Sequence, residues 1–481
     1  MLDAVLDGLA GNPALPRDLL RRMIRWRGGS RLALRADLTD EVVEEMLATG
    51  WVWFLTALAV DGSVASPVRL RLAGHPDQTV RACAASGPPD RAVFEILAAD
   101  PDQEVRVRLA ENRSLPPDLR ARLADDPDPE VRRALARGWT DLPEAVRRRL
   151  LTDRDEAVRA AACFTYHPEV PADLVPTLLA DPATRAGVVR HLTLTTESAA
   201  RLAEDRDYAV RRELARHPGL PADMRDRLAS DDSTTVQVAV FAREDTPEPL
   251  RALIHDEVRG RSPSLVVAVD DPDPDDLGEW DDLAFKQLVE DRATVARFDR
   301  LPLPWVTADP MRHAGSPYTS FRLAVAAAAA SLPPAVVDRL LADEEPRVAE
   351  AVVEHAPHRV DEATAERIER AYRPPARARA RRPTGRYPYQ PETLRRFATD
   401  PDPRMRVFGF RDPALPADIL STSAADPDGN VRRSAAAHRR MPATVLVAML
   451  DDPDERVARA AAGNPGLPVE TMAELLRRAG L

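Results

Sequence analysis

The sequence is poor in lysine, cysteine and aromatic residues. Of 67 basic residues in 481, only Lys286 is a lysine, so arginine carries nearly all of the positive charge. The two cysteines, Cys83 and Cys163, each lie in an alanine-rich stretch, and we expect buried reduced thiols rather than a disulfide or metal pair. Aromatic residues make up 5% of the chain, which disfavours a large globular core.

Long apolar runs and a secretory pattern are missing as well. No uninterrupted apolar segment is long enough to cross a bilayer, and residues 1–16 lack a basic region followed by an apolar one. We therefore expect a cytoplasmic protein that makes no use of a membrane. The net charge of −11 disfavours attraction of the whole surface to nucleic acid or anionic lipid, although a local basic patch is compatible with it.

Motifs that carry catalysis are not found. The chain has no glycine-rich nucleotide loop, no H-E-x-x-H and no G-x-S-x-G. Three histidines precede proline where other segments have asparagine, and this makes them turn residues rather than ligands or acid–base groups. The histidines are His75, His167 and His217, and the asparagines are Asn12, Asn112 and Asn464. We expect no catalytic residue, no metal and no cofactor.

A repeat of about 26 residues is the dominant feature, and residues 115–137 show it most clearly. Leu115, Leu119 and Leu123 recur at helical spacing, which predicts one short helix. Asp128 can cap a second helix, which begins at Pro129 after a break at residues 125–127. One such pair buries too little apolar surface to fold alone, so neighbouring pairs must stack and share a core.

The same markers recur in one phase along the chain. The turn has the form Asp-x-Asp, and the second helix carries Val-Arg a few residues later. The prolines of three successive turns, 401, 427 and 453, lie 26 residues apart. This pattern predicts an all-α solenoid, that is, a stack of helix pairs along one direction. The aspartate of the turn and the arginine six residues later, as in Asp126 and Arg132 or Asp426 and Arg432, resemble the ladder of ion pairs between repeats that HEAT-like proteins have, and we expect such a ladder here.

The pattern L-P-x-D-L-x-x-R-L-A-x-D-P-D-x-x-V-R-x-x-x-A-x-N-P resembles the leucine-rich repeat variant family, which is related to HEAT-like repeats. The resemblance covers most of residues 70–250 and 395–481. It implies a right-handed superhelix in which one helix of each pair can be a 3₁₀ helix. A member type of this family carries an iron–sulfur module on clustered cysteines, which this sequence lacks.

The regularity of the repeat divides the chain into four segments. Residues 1–69 are degenerate repeats or a cap, 70–254 are regular, 255–394 are degenerate with two insertions, and 395–481 are regular with a C-terminal cap. The insertions are an acidic one at 268–282 and one rich in arginine and proline at 373–390. The acidic stretch matches a calcium loop poorly, and we interpret it as an expanded, solvated turn.

Two breaks in the pattern supply candidate binding residues. Trp51 and Trp53 belong either to a capping repeat that buries them or to an aromatic contact site for a partner. The basic insertion is expected to be exposed, and it is a solvated loop, a contact for an acidic protein surface, or a contact for phosphates with stacking tyrosines. Its candidate residues are Arg377, Arg379, Arg381, Arg382, Arg386, Tyr387 and Tyr389.

These features favour a non-enzymatic scaffold that binds an unidentified protein or peptide along the solenoid surface. The alternative is a nucleic-acid-binding HEAT-like solenoid, including one that excises DNA bases. That alternative requires a basic groove with aromatic and carboxylate residues near its centre, and the acidic net charge opposes it.

Overall fold

The computed structural model describes the whole chain except residues 27–29, 62–63, 140, 165–169, 262–281, 373–381 and 383. The described residues form helices and turns, without a strand among them. They fall into two compact units, one made of residues 1–150 and 389–481 and the other of residues 151–388. We call these the split unit and the middle unit. The predicted all-α fold of repeated helix pairs is confirmed.

The helices follow one another at short intervals. The first eleven are α1 (Leu2–Ala10), α2 (Arg17–Met23), α3 (Asp40–Ala48), α4 (Val52–Val60), α5 (Ser66–Ala73), α6 (Gln78–Ala85), α7 (Arg91–Leu97), α8 (Gln103–Glu111), α9 (Pro117–Leu123), α10 (Pro129–Gly138) and α11 (Glu144–Leu151). The next fifteen are α12 (Glu156–Ala162), α13 (Val175–Ala180), α14 (Pro182–Val189), α15 (Thr196–Leu202), α16 (Tyr208–Arg216), α17 (Ala222–Leu228), α18 (Thr234–Phe241), α19 (Glu248–Gly260), α20 (Asp282–Arg297), α21 (Pro304–Ala308), α22 (Pro310–His313), α23 (Thr319–Ala327), α24 (Pro334–Leu341), α25 (Pro346–His355) and α26 (Glu362–Ala371). The last seven are α27 (Pro391–Ala398), α28 (Pro403–Gly409), α29 (Ala417–Ser423), α30 (Gly429–Ala436), α31 (Ala443–Met449), α32 (Glu455–Ala462) and α33 (Val469–Arg478). Short 3₁₀ helices cover Ser30–Leu34, Phe298–Arg300, Ala329–Ser331 and Pro357–Arg359.

The pair α9 and α10 shows why each repeat folds as two helices. Leu119 and Leu123 are buried on α9, and Val131 and Leu135 are buried on α10, as their helical spacing predicts. The carboxylate of Asp128 accepts a hydrogen bond from the backbone N–H of Glu130 at 2.8 Å and so caps α10. A cap of this kind contributes about 1 kcal/mol.

The second helix of each regular repeat is an α-helix, which differs from the 3₁₀ helix that the family resemblance allows. α10 runs for ten residues and α8 for nine, each beginning at a capping aspartate. Their length and their aspartate caps favour the wider helix with its better hydrogen bonds.

The second helices of neighbouring repeats stack on one another and form the core. In the split unit α6, α8 and α10 form one such stack, and α28, α30 and α32 form another. In the middle unit α12, α14, α16 and α18 stack in series, and α23 packs on α25. Each stacked helix buries a valine or another apolar residue in this core, and Val80, Val105 and Val131 are fully buried.

Both cysteines carry no disulfide. Cys163 is buried and its thiol lies 3.5 Å from the carbonyl oxygen of Thr184. Cys83 is partly buried, and this burial raises the pKa of its thiol. Within the part of the chain that the structure describes, no helix is long and apolar enough to span a membrane.

Candidate protein-binding groove

Two ladders of polar contacts hold the repeats in register. The first is made by an arginine that follows a buried residue, most often valine, in many of the second helices. The Nε of Arg106 donates to Asp126 in the turn of the next repeat at 2.7 Å, and its Nη1 donates to the backbone carbonyl of Asp100 in its own turn at 2.8 Å. Arg132 likewise donates to the backbone carbonyl of Asp126, at 2.7 Å. One guanidinium therefore joins two turns.

This arrangement recurs in both units with N–O distances of 2.7–2.8 Å. The pairs are Arg81–Asp100, Arg106–Asp126, Arg159–Asp181, Arg185–Asp205, Arg211–Asp231, Arg322–Asp343, Arg406–Asp426 and Arg432–Asp452. The expected ion-pair ladder is present, and each carboxylate is supplied by the repeat that follows the arginine. The arginines are thus engaged in structure rather than available for a phosphate ligand.

The second ladder is made by an asparagine or histidine just after the end of several second helices. The side-chain amide of Asn112 donates to the carbonyl oxygens of Ala85 and Gly87 in the preceding repeat, at 2.8 and 3.0 Å. His217 makes the equivalent contact with the Leu192 carbonyl at 3.0 Å, while its Nδ1 accepts from the N–H of Gly219. This geometry requires the neutral ring with its proton on Nε2.

Structural roles for His75 and His217 agree with the prediction from sequence. The Nδ1 of His75 accepts a hydrogen bond from the backbone N–H of Asp77 at 3.0 Å. Burial lowers the pKa of His217, because the charged imidazolium would be poorly solvated there. His167 lies outside the described residues.

The middle unit contains a groove of about 1310 Å³. It runs over the open faces of the stacked helices α23 and α25, and we call it the α23–α25 groove. Two sets of residues at helical spacing form its floor: Ser320, Leu323, Ala324 and Ala327 on α23, and Arg347, Glu350, Ala351 and Glu354 on α25. Residues 299–303, Pro357, Tyr372, Arg382, Arg386 and Tyr387 border it.

Charges of both signs line this groove, and several of them are paired. Arg347 contacts Glu345 and Asp299, each at 2.7 Å, and these partners raise its pKa. Glu350 lies half-buried on the floor, and burial together with the neighbouring Glu345 raises the pKa of its carboxyl group. The groove therefore combines an apolar strip with fixed charges of both signs.

The C-terminal end of the basic insertion is anchored at Arg382, Thr384 and Tyr387, whereas the sequence predicted exposure throughout. Arg382 donates to the buried Glu369 at 2.7 Å, and the Thr384 hydroxyl donates to the same carboxylate at 2.6 Å. The ring of Tyr387 is 5% exposed and its hydroxyl donates to the Val360 carbonyl at 2.6 Å. Arg386 is exposed at the groove edge.

The other candidate residues lie elsewhere. Tyr389 is buried in the split unit, edge-on to Phe397 and Phe408 at 5.2 and 6.0 Å between ring centroids. The rings of Trp51 and Trp53 stack at 5.4 Å between centroids, and both are half-buried at the start of α4. Arg377, Arg379 and Arg381 lie outside the described residues, as does most of the acidic insertion.

The structure thus brings together Arg382, Arg386 and Tyr387, which border the α23–α25 groove. Reasoning from sequence missed the floor of this groove, because α23 and α25 lie in the segment where the repeat pattern is weakest. One feature of the sequence could have located α23. Arg322 and Asp343 are spaced along the chain like the other arginine–aspartate pairs of the first ladder, which identifies α23 as a second helix.

No family model matches the chain, and no curated protein matches it. Similar solved structures include Kap121p bound to RanGTP, with 15% identity over 96% of this chain and a TM-score of 0.22. Kap121p bound to Ste12p and bound to Nup53p give 15% and 14% identity, with TM-scores of 0.25 and 0.24. The chain spans about half the length of Kap121p, covering 54–55% of it.

Such low scores carry no argument about activity or partner. The class of the protein rests on its own helix pairs and ladders. It is an α-helical repeat protein built from stacked helix pairs.

Proposed function

We propose that this protein is a non-enzymatic scaffold whose α23–α25 groove receives an extended segment of a partner protein or peptide. The observation that carries the proposal is the groove itself. Its volume exceeds the range of roughly 300–1,000 Å³ that is usual for small-molecule pockets. Its floor follows one face of two stacked helices, so it offers a strip of contacts rather than one enclosed cavity.

The chemistry of the floor suits a polypeptide. Leu323, Ala324 and Ala351 supply apolar contacts, and the paired charges of Arg347 and Glu345 supply orientation. A peptide presents apolar side chains, backbone amides and charges of both signs along its length, and this mixture matches the groove. We also propose that the repeats are of the leucine-rich repeat variant type, and that the protein acts in the cytoplasm.

The nucleic-acid alternative draws less support from this site. Asp299, Glu345, Glu350 and Glu354 line the groove and would repel phosphates. The ring of Tyr387 is buried, so in this conformation it offers no face on which a base could stack. Arg300 and Arg386 are the exposed arginines of the groove on which that alternative depends.

The test is a selection of peptides from a random library displayed on phage, using the full-length protein as bait. Selected peptides are then titrated against two variants by fluorescence anisotropy. Ala327→Arg fills the groove floor, whereas Ala330→Arg adds the same side chain at an exposed position that does not line the groove. We expect at least tenfold weaker binding for the first variant and unchanged binding for the second.

Equal binding by both variants, or no selected peptide, would overturn the proposal. Labelled single-stranded and duplex oligonucleotides are titrated in parallel at physiological salt. Oligonucleotide binding that Arg386→Ala weakens would favour the nucleic-acid alternative.

A further inference from the structure

The first helix of the chain takes up a position that belongs to a second helix. Within the split unit α1 packs along α32, in the same way that α32 packs along α30. After α1 the sequence reads Gly-Asn-Pro-Ala-Leu-Pro at residues 11–16, and after α32 it reads Gly-Asn-Pro-Gly-Leu-Pro at residues 463–468. α33 contacts both α1 and α2, as a first helix contacts its own partner and the next first helix.

The asparagine ladder continues through this contact. The fully buried amide of Asn12 donates to the carbonyl oxygens of Ala462 and Asn464, at 2.9 and 2.8 Å. Asn464 makes the same two bonds with Ala436 and His438, at 2.7 and 2.8 Å. The contact between residues 450 positions apart therefore keeps the register of an ordinary repeat interface.

α1 approaches α32 as closely as α14 approaches the end of α12 in the middle unit. A Cβ atom added at Gly8 would lie 2.1 Å from the carbonyl oxygen of Arg459. In the middle unit Gly187 on α14 approaches Cys163 equally closely, since its added Cβ would lie 2.0 Å from the Cys163 carbonyl oxygen. Glycine is required at both crossings because the backbones would otherwise have to separate.

We infer that α33 and α1 form one repeat although their residues lie far apart in the sequence, and that the open face of α32 is the docking surface for α1. We call this contact between α1 and α32 the latch of the split unit. Residues 2–12 and 455–464 open and close together, although they are far apart in sequence.

The latch is the weaker joint for two reasons. Ala458 stands where Arg406 and Arg432 stand in the two preceding second helices, so the arginine–aspartate contact is missing here. No short turn connects α32 to α1, so release of α1 gains chain entropy that an interior helix does not gain. Two ion pairs compensate weakly because solvent reaches both: Asp7–Arg459 at 3.1 Å, with the arginine side chain 42% exposed, and the Met1 amino group with Glu455 at 2.7 Å, with the glutamate side chain 58% exposed.

Hydrogen exchange of the full-length protein, read by mass spectrometry, tests this inference. Gly8→Ala forces α1 away from α32, whereas Gly11→Ala is a matched control because its added Cβ meets nothing closer than 3.6 Å. We expect exchange of residues 455–464 to become at least tenfold faster in Gly8→Ala and to stay unchanged in Gly11→Ala. Exchange in α8 should be unchanged in both variants.

A second variant covers the case in which alanine is accommodated by a small shift. Asn12→Asp keeps the shape of the side chain but places an oxygen against the carbonyls of Ala462 and Asn464, so it should also release residues 455–464. Unchanged exchange of residues 455–464 in both Gly8→Ala and Asn12→Asp would overturn the inference. Protection of residues 455–464 that fell on dilution would mean that α1 of a second copy occupies the face, and it would overturn the contact within one chain.

Discussion

The arginine–aspartate ladder makes a quantitative prediction about coupling between repeats. Arg106 donates to both carboxylate oxygens of Asp126, at 2.7 and 3.1 Å, and the two side chains are 12% and 5% exposed. Its Nη1 also holds the carbonyl of Asp100. We change Arg106 and Asp126 to alanine singly and together, because a double-mutant cycle isolates the coupling between them.

The magnitude follows from burial. Removing one partner of a buried pair costs about 3–5 kcal/mol, because the other charge is left unpaired. Water can reach this pair in part, so we expect about 2–3 kcal/mol for Arg106→Ala and a coupling energy of about 1–2 kcal/mol. A loss of 2–3 kcal/mol corresponds to roughly 30–150-fold faster exchange of amides that open with the interface.

The assay is hydrogen exchange of α8 and α10 under conditions where opening is at equilibrium. The control is Arg91–Asp118, which also joins neighbouring repeats at 2.8 Å but whose side chains are 59% and 56% exposed. Its coupling should be much smaller, because solvent screens an exposed pair. Equal coupling for the two pairs would refute the argument that burial gives the ladder its strength.

Three further predictions concern the repeats themselves. Burial lowers the pKa of His217, so the melting temperature of the protein should fall as pH drops below about 6.5, the usual imidazole value. Between pH 7.5 and 5.5 the melting temperature of His217→Asn should fall by less than that of the unchanged protein. Equal falls in the two proteins would contradict this. Leu119→Asp places a carboxylate at a site that is 1% exposed and should lower the free energy of unfolding by several kcal/mol. The amides of α8, α9 and α10 should then exchange faster, whereas Ser114→Asp at an exposed site should leave their exchange unchanged. Gly187→Ala should lower the melting temperature because its Cβ would overlap Cys163, and Gly260→Ala, with nothing within 4 Å, serves as its control.

Much of the local structure could be predicted from sequence because it depends on neighbours along the chain. The break at residues 125–127, the cap at Asp128 and the buried faces of α9 and α10 all follow from residue types at fixed spacing. The turn role of His217 follows from its alignment with Asn112. Repetition strengthens such predictions, since a marker that recurs in phase outweighs any single propensity.

The partner of each ladder residue was harder to predict. Asp126 and Arg132 are close in sequence, yet the Asp126 carboxylate binds Arg106 of the preceding repeat. The spacing shows that both residue types recur, but the distance between stacked turns decides which pair meets. The helix type of α10 was likewise decided by packing and capping.

At Tyr387 and Tyr389 the structure differs more strongly from what the sequence predicts. A basic, proline-rich stretch predicts exposure, and both tyrosines are instead buried, one bonded to Val360 and the other packed on Phe397. Glu369 on α26 anchors Arg382 and Thr384 of the following loop. Composition reports average solvation over a stretch, whereas burial of one side chain depends on the groups that tertiary structure places beside it.

By itself the sequence determined the helix pairs, their caps and the period on which they stack, because these depend on contacts within about 26 residues. The tertiary structure decided that α1 completes the repeat of α33, and that the open faces of α23 and α25 form a groove. Both results join segments that no local pattern relates. Both results have the same physical basis. Each second helix has two apolar faces, and only the folded chain shows which segment packs on each of them.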